Sequence, residues 1–342
     1  MRYSDICTEQ ELNDFMITPS SSLVKTVGKI KGDILGLGAT GKMGIDLIRL
    51  IQEADKVSGK KRKYFIASTF SNPENISKME ALGIKTFKGD LSDTAFLKKL
   101  PDVKNIYYMA GFKFGTSGSF QKAYHMNIIM PYLAGERFKN SDITCFSTCN
   151  FYPHLTRKTG GARETIPVAP QGIYGWTALG RENAFNIISE KYGTKIALYR
   201  LAYAQHLYYG VLIDIAKMVK AQSRIQLTNN YVNLISQRDA NEVAIKCLTM
   251  ASCPPSPINC TGPIVDVEEI IKTMAKKMGK KVKVARNKAK EFMINNDDLA
   301  VGKFGAYRDK PSEMIEAAVR WVKNGGKDWN KPTGFLNIDH KY

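Results

Sequence analysis

The tightest grouping of residues able to do chemistry is Gly38-Ala39-Thr40-Gly41-Lys42-Met43-Gly44, evenly spaced glycines around a hydroxyl and an amine. Glycine permits a sharp turn and lets backbone N–H groups come close to an anion. If a helix starts at the turn, its free amides add partial positive charge. That chemistry is phosphate binding. An apolar run, DILGLG, precedes the turn and an amphipathic stretch, MGIDLIRLIQEA, follows it, so the glycines sit between a strand and a helix. This is where the pyrophosphate of a dinucleotide would rest. The end of the next strand, Ser68-Thr69-Phe70-Ser71, should meet the ribose. A carboxylate there would take the 2′-hydroxyl and select NAD. No Asp or Glu occurs before Glu74, and hydroxyls with nearby lysines suit a 2′-phosphate, which favours NADP.

Positioning these groups requires a layered scaffold. From Asp33 onward, short apolar strands alternate with helices: KYFIAST, a helix near Asn75 to Leu82, IKTF, a helix near Thr94 to Leu100, and VKNIYYMA. A helix near Phe120 to Phe138, the strand ITCFS, a helix from about Tyr174 to Tyr192 and the strand KIALYRLA continue the series. Such βαβ units predict an α/β fold with a doubly wound parallel sheet. Upstream, Thr8-Glu9-Gln10-Glu11 reads as a capping box, and Pro19-Ser20-Ser21 starts a second helix reaching about Lys29, so residues 1–31 read as a helical appendage. Beyond Ala202 come a strand YVNLIS, a helix from Asp239 to Met250, a strand near PINC and a Lys-rich tail. The expected division puts residues 32–205 and 230–262 in the sheet domain, and 206–229 and 263–342 in a smaller C-terminal α/β substrate lobe.

A chain of 342 residues with 44% hydrophobic content can bury a substantial core. No stretch approaches the roughly 18 to 20 apolar residues of a membrane span, and the N-terminus lacks a signal-peptide core, which predicts a cytoplasmic protein without membrane partners. Six cysteines without a CxxC pair, and four histidines, predict reduced thiols and no metal. The net charge of +18 concentrates in KVSGKKRK and KTMAKKMGKKVKVARNKAK. These runs attract anions, but neither interleaves the stacking aromatics of a single-strand binder, so a solvated surface is expected rather than a nucleic-acid site.

From about Gly32 to the tail, the chain resembles the extended short-chain dehydrogenase/reductases, the NAD-dependent epimerase/dehydratase family with its Rossmann sheet. The glycine turn matches, and so do Gly89-Asp90-Leu91, Met109-Ala110-Gly111, Asn127, Phe146-Ser147-Thr148-Cys149-Asn150-Phe151-Tyr152 and Pro170-Gln171-Gly172-Ile173-Tyr174-Gly175 with Glu182 beyond it. Gln237-Arg238-Asp239-Ala240 and Asn259-Cys260-Thr261-Gly262 match later landmarks. The resemblance implies NAD(P) held by Gly38, Thr40, Gly41, Lys42, Met43, Gly44, Ser68, Thr69, Asp90, Leu91, Met109, Ala110, Gly111, Asn127, Tyr174 and Leu201. It implies Thr148 and Tyr174 as catalytic hydroxyls, with Asn150, His206 and Tyr208 on the substrate, and a homodimer built on helices near residues 119–138 and 174–192.

One part of the family pattern is missing. In that mechanism Tyr exchanges the substrate hydroxyl proton, Ser or Thr binds the same oxygen, and a Lys four residues after the Tyr lowers its pKa. Here that position is Ala178. A free Tyr is only about 0.1% ionised at pH 7, so the loss is about 4 kcal/mol if the anion must form beforehand. Arg181 lies about 10 Å further along the helix. Lys113, in the loop after the fourth strand, is the better replacement cation and a candidate substrate contact. Cys149 reads as a small buried residue more readily than as a nucleophile. The expected activity is oxidation or epimerisation at a secondary alcohol of a sugar, sugar acid or nucleotide-sugar, with the basic balance suiting an anionic substrate. The alternative is a non-catalytic NAD(P)-binding regulatory or scaffold protein with a degenerate site.

Overall fold

The computed structural model describes residues 1–70, 74–331 and 333–336, so Ser71 lies outside the described residues. Seven strands form the central sheet: β1 (Ile34–Leu37), β2 (Tyr64–Ser68), β3 (Ile84–Lys88), β4 (Asn105–Tyr108), β5 (Asp142–Thr148), β6 (Ile196–Leu201) and β7 (Ser256–Cys260). Their order is β3-β2-β1-β4-β5-β6-β7, and every pairing is parallel. All residues of β1 and β4 are buried, as expected for strands covered on both faces. Tyr107 points into the core on one face and Tyr108 into the core on the other. The strand order reverses between β1 and β4, which opens a cleft at their C-terminal ends.

The helices arise where the local signals place them. Thr8 accepts from the Glu11 amide and the Glu11 carboxylate accepts from the Thr8 amide, which closes the capping box of Glu9–Met16. Ser20 caps Ser21–Val27 through the Leu23 amide. These two helices are a strap built into both cores rather than an appendage. Leu12, Phe15 and Met16 pack with Val211, Ile270, Met314 and Trp321 of the C-terminal lobe, whereas Leu23 and Val27 pack with Leu47 and Ile51 against the sheet. The Arg238 guanidinium stacks 3.5 Å from the Phe15 ring centre, and Glu242 accepts from both the amide and the hydroxyl of Ser20.

The lobe begins and ends at other places than the sequence indicated. Tyr231–Asn233 pairs antiparallel with Ile264–Asp266, and Val232 and Leu234 belong to the lobe core, so the chain re-enters the sheet domain at Ile235 rather than at residue 230. The tail is shared, because Ala300 of the helix Asp298–Phe304 packs on the sheet side. The stretch expected to be one helix from Phe120 to Phe138 runs as Phe120–Tyr124, a π turn His125–Ile129, and Met130–Arg137.

Candidate functional site

At the switch point, β1 ends in the glycine turn and β4 ends in Met109-Ala110-Gly111. Gly38 adopts φ +74°, and a Cβ there would lie 2.7 Å from the Ala110 backbone, so the two loops touch only because residue 38 has no side chain. Gly44 opens the helix Gly44–Ser58, and its Cβ would lie 2.4 Å from the Ala39 carbonyl oxygen. Gly41 is different. A Cβ there would meet nothing closer than the Gly38 carbonyl at 4.0 Å, so neither the fold nor the local backbone demands glycine. The empty approach above Gly41, beside the free amides of a helix start, fits the pyrophosphate of a dinucleotide. Thr40 and Ser68 share a 2.7 Å hydrogen bond that ties the turn to the end of β2, and Thr69 is exposed beside it. Asp90 accepts from the amide and hydroxyl of Ser92, which with the charge of His125 holds its carboxyl below the usual range. Leu91 is buried beneath it.

A cavity of about 250 Å³ continues from the turn toward the lobe. Thr148 from the end of β5, Tyr174 from the first turn of the helix Gly172–Tyr192, Lys113 from the loop after β4, and Lys42, Met43 and Leu201 all line it. The Lys113 ammonium lies 5.4 Å from the centre of the Tyr174 ring, and burial pushes its pKa down to about 8. Thr148 Oγ1 accepts from the Asn150 amide at 3.1 Å. Tyr203, also in the wall, has φ +27°, a strained conformation for a non-glycine residue of the kind that collects at functional sites.

Behind this wall lies a buried polar frame. Ser147 donates to Glu182 at 2.5 Å, Arg200 grips Glu182 through two bonds of 2.9 and 2.6 Å, and Arg200 also donates to Tyr152, whose hydroxyl donates to Asn259. The frame ties the ends of β5, β6 and β7 to the Tyr174 helix. Cys149 is sealed inside it, with burial pushing its thiol far up, so it packs rather than reacts. Ala178 is fully buried. Arg181 is outside the cavity lining and is spent inside the protein, donating to the Phe146 carbonyl at 2.8 Å and to Asn127 at 2.7 Å.

Several expected contacts are elsewhere. Asn127 uses its whole amide inside the protein, accepting from Phe112 N–H and Arg181 and donating to the Phe112 carbonyl and Thr177, so it clamps the loop carrying Gly111 and Lys113 instead of touching a ligand. Asn150 is buried under the start of the Tyr174 helix, outside the cavity lining. His206 and Tyr208 face the lobe core. His206 stacks on Trp329 at 5.3 Å, with burial lowering its pKa to about 3, and the Tyr208 hydroxyl donates to Glu9. Their neighbours Gln205 and Tyr209 line the cavity instead. The two backbone bonds between His206 and Tyr209 close a tight turn that carries His206, Leu207 and Tyr208 away from the cavity and leaves the residues on either side, Gln205 and Tyr209, in its wall.

No known family profile matches the sequence, and neither does any curated protein. Solved structures do. DesIV, a dTDP-glucose 4,6-dehydratase from Streptomyces venezuelae with NAD and TYD bound, superposes with a TM-score of 0.71 at 14% identity, over 85% of this chain and 97% of that one. The dTDP-glucose 4,6-dehydratase of Bacillus anthracis in complex with NAD gives 0.70 at 16% identity, over 85% and 96%. The UDP-glucuronic acid 4-epimerase of Bacillus cereus in complex with NAD gives 0.68 at 18% identity, over 86% and 100%. The chain has the fold of these enzymes. Among the described residues, no helix is long and apolar enough to cross a membrane, and no group of three or more His, Cys, Asp or Glu could hold a metal ion.

Proposed function

We propose that the protein is an NAD(P)-dependent oxidoreductase or epimerase acting on a secondary alcohol of a sugar, sugar acid or nucleotide-sugar. The observation that carries this reading is the convergence of Thr148, Tyr174 and Lys113 on one cavity next to the glycine turn. The structurally similar dehydratases and epimerases are complexed with NAD, and the cradle above Gly41 accommodates such a group. The absence of a carboxylate between Ser68 and Glu74 argues for NADP. When bound, the nicotinamide supplies hydride acceptance and return.

The chain's own residues handle the proton. Tyr174 takes or returns the proton of the substrate hydroxyl, and Thr148 holds the same oxygen by hydrogen bonding, which fixes the carbon to which it is attached. Lys113 offsets the negative charge that develops on the phenolic oxygen as the proton moves. At an effective dielectric constant of about 20, a unit charge at 5.4 Å, the distance of the ammonium from the centre of the ring, contributes about 3 kcal/mol. That is close to the deficit left by Ala178. The rival reading, a cofactor-binding scaffold, draws on Ala178, but a degenerate site would have no need of a second lysine beside the tyrosine.

The test is turnover. Purified protein supplied with NAD⁺ or NADP⁺ and a panel of sugars, sugar acids and nucleotide-sugars should generate reduced-nicotinamide absorbance or an epimer, with NADP⁺ the better cofactor. Tight cofactor binding with no product from any class would favour the scaffold.

A further inference from the structure

Lys42 belongs to the glycine turn, yet its side chain leaves the turn and enters the cavity. Its ammonium lies 3.3 Å from the centre of the Tyr209 ring and 5.6 Å from that of Phe114. Lys113 approaches the same Phe114 ring at 5.3 Å. Two ammonium groups thus flank one aromatic ring in a cavity whose lining residues include no Asp or Glu. Among the described residues Lys42 makes no ion pair, and the carboxylate that acts on it most, Asp214, is hydrogen-bonded to the amide and hydroxyl of Thr333. Burial, with repulsion from Lys331 and Lys113, lowers the Lys42 pKa to about 7, against a smaller opposing pull from Asp214. Two ammonium groups on one cavity wall that carries no carboxylate make that wall positive, and an anion entering the cavity would meet both.

We infer that Lys42 and Lys113 form a seat for an anionic substituent on the reacting sugar, a carboxylate or a phosphate ester, with Lys42 as a specificity-determining residue. The inference rests on the sugar-oxidising reading of the cavity and names the substrate class within it. The placement gives the lysine of the glycine turn a role inside the cavity. The aromatic faces of Tyr209 and Phe114 hold the Lys42 ammonium in place while no substrate is bound.

Trace acetylation of cofactor-saturated protein near neutral pH, quantified lysine by lysine with mass spectrometry, tests this without turnover. D-glucuronate, D-glucose 6-phosphate and D-glucose serve as probes, because they differ only at C6. Lys42 and Lys113 should react ahead of surface lysines, and an anionic hexose should protect both while glucose does not. Whichever anionic probe protects at the lower concentration identifies the carboxylate or the phosphate. Lys42→Met should raise the concentration for half-protection of Lys113 about tenfold. Equal protection by glucose, protection by none of the three, or shielding of Lys42 by the cofactor alone with nothing added by sugar would overturn the proposal. If the dinucleotide itself fails to bind, the broader reading falls, and the same labelling without cofactor still decides the anion seat.

Discussion

In the proposed mechanism, with Ala178 in place of a lysine, the Tyr174 hydroxyl depends on the Lys113 that the loop after β4 brings to it. Tyr174→Phe should lower kcat/KM by about 100- to 1000-fold and Thr148→Ala by about 10- to 100-fold, as read by steady-state assay. A change of less than threefold in Tyr174→Phe would remove it from the mechanism. The pH dependence follows from the lysines. Both pKa values are depressed by burial, so the charged forms are lost as pH rises, Lys42 near 7 and Lys113 near 8. Activity should therefore fall on the alkaline side from about pH 8, and affinity for an anionic substrate should begin to fall nearer 7. Lys113→Met should be slow at every pH and lose the limb near 8. Motif order and spacing single out Thr148 and Tyr174, and the loop after β4 singles out Lys113; the structure puts all three on one cavity. The glycine turn marks Lys42 as a cofactor contact, and the structure adds that its ammonium reaches the cavity, which sequence does not show because it gives a residue's place in a turn and not the direction of a long flexible side chain.

The seven parallel strands could be read from runs such as ILGL and NIYY, since a strand buried on both faces has no polar alternation to confuse it. The hairpin at 206–209 defeated the same approach. A turn of four residues has no periodicity from which to tell that 206 to 208 face away from the cavity while Gln205 and Tyr209 line it. Asn127 was hidden for another reason, since a side chain that clamps a loop and one that touches a ligand look identical in sequence. Among the helices, Gly172–Tyr192 exposes Trp176 and Ile187 on one side, and the neighbouring stretch exposes Phe120, Tyr124 and Ile129. Gly180 lets the two approach, since a Cβ there would lie 2.6 Å from Ile128. We propose that this apolar face joins two copies of the chain. Light scattering should give a dimer for the native protein and a monomer for Trp176→Glu or Ile187→Glu, with activity per chain retained. A monomeric native protein would refute the proposal.

At the scale of the molecule, the first thirty or so residues bridge the two cores, Leu12, Phe15 and Met16 packing in the lobe and Leu23 and Val27 against the sheet. The sequence located both helices through their caps but gave no sign of which core each would join, because that depends on partners more than two hundred residues away, such as Glu242 for Ser20. Phe15→Ala would remove a fully buried ring and its stacking on Arg238, at a cost of about 3 to 5 kcal/mol in unfolding by denaturant. A loss below 1 kcal/mol would mean that the strap is dispensable. The central claim, that the cleft at the β1–β4 switch point holds a dinucleotide, is tested most directly by titrating NADPH and NADH into native protein and Gly41→Val while following nucleotide fluorescence. The account predicts that the native protein binds, NADPH the more tightly, and that the valine variant stays folded with affinity weakened at least about tenfold, because its side chain fills space that only a ligand needs. Undiminished binding by Gly41→Val, or no binding by the native protein, would contradict it.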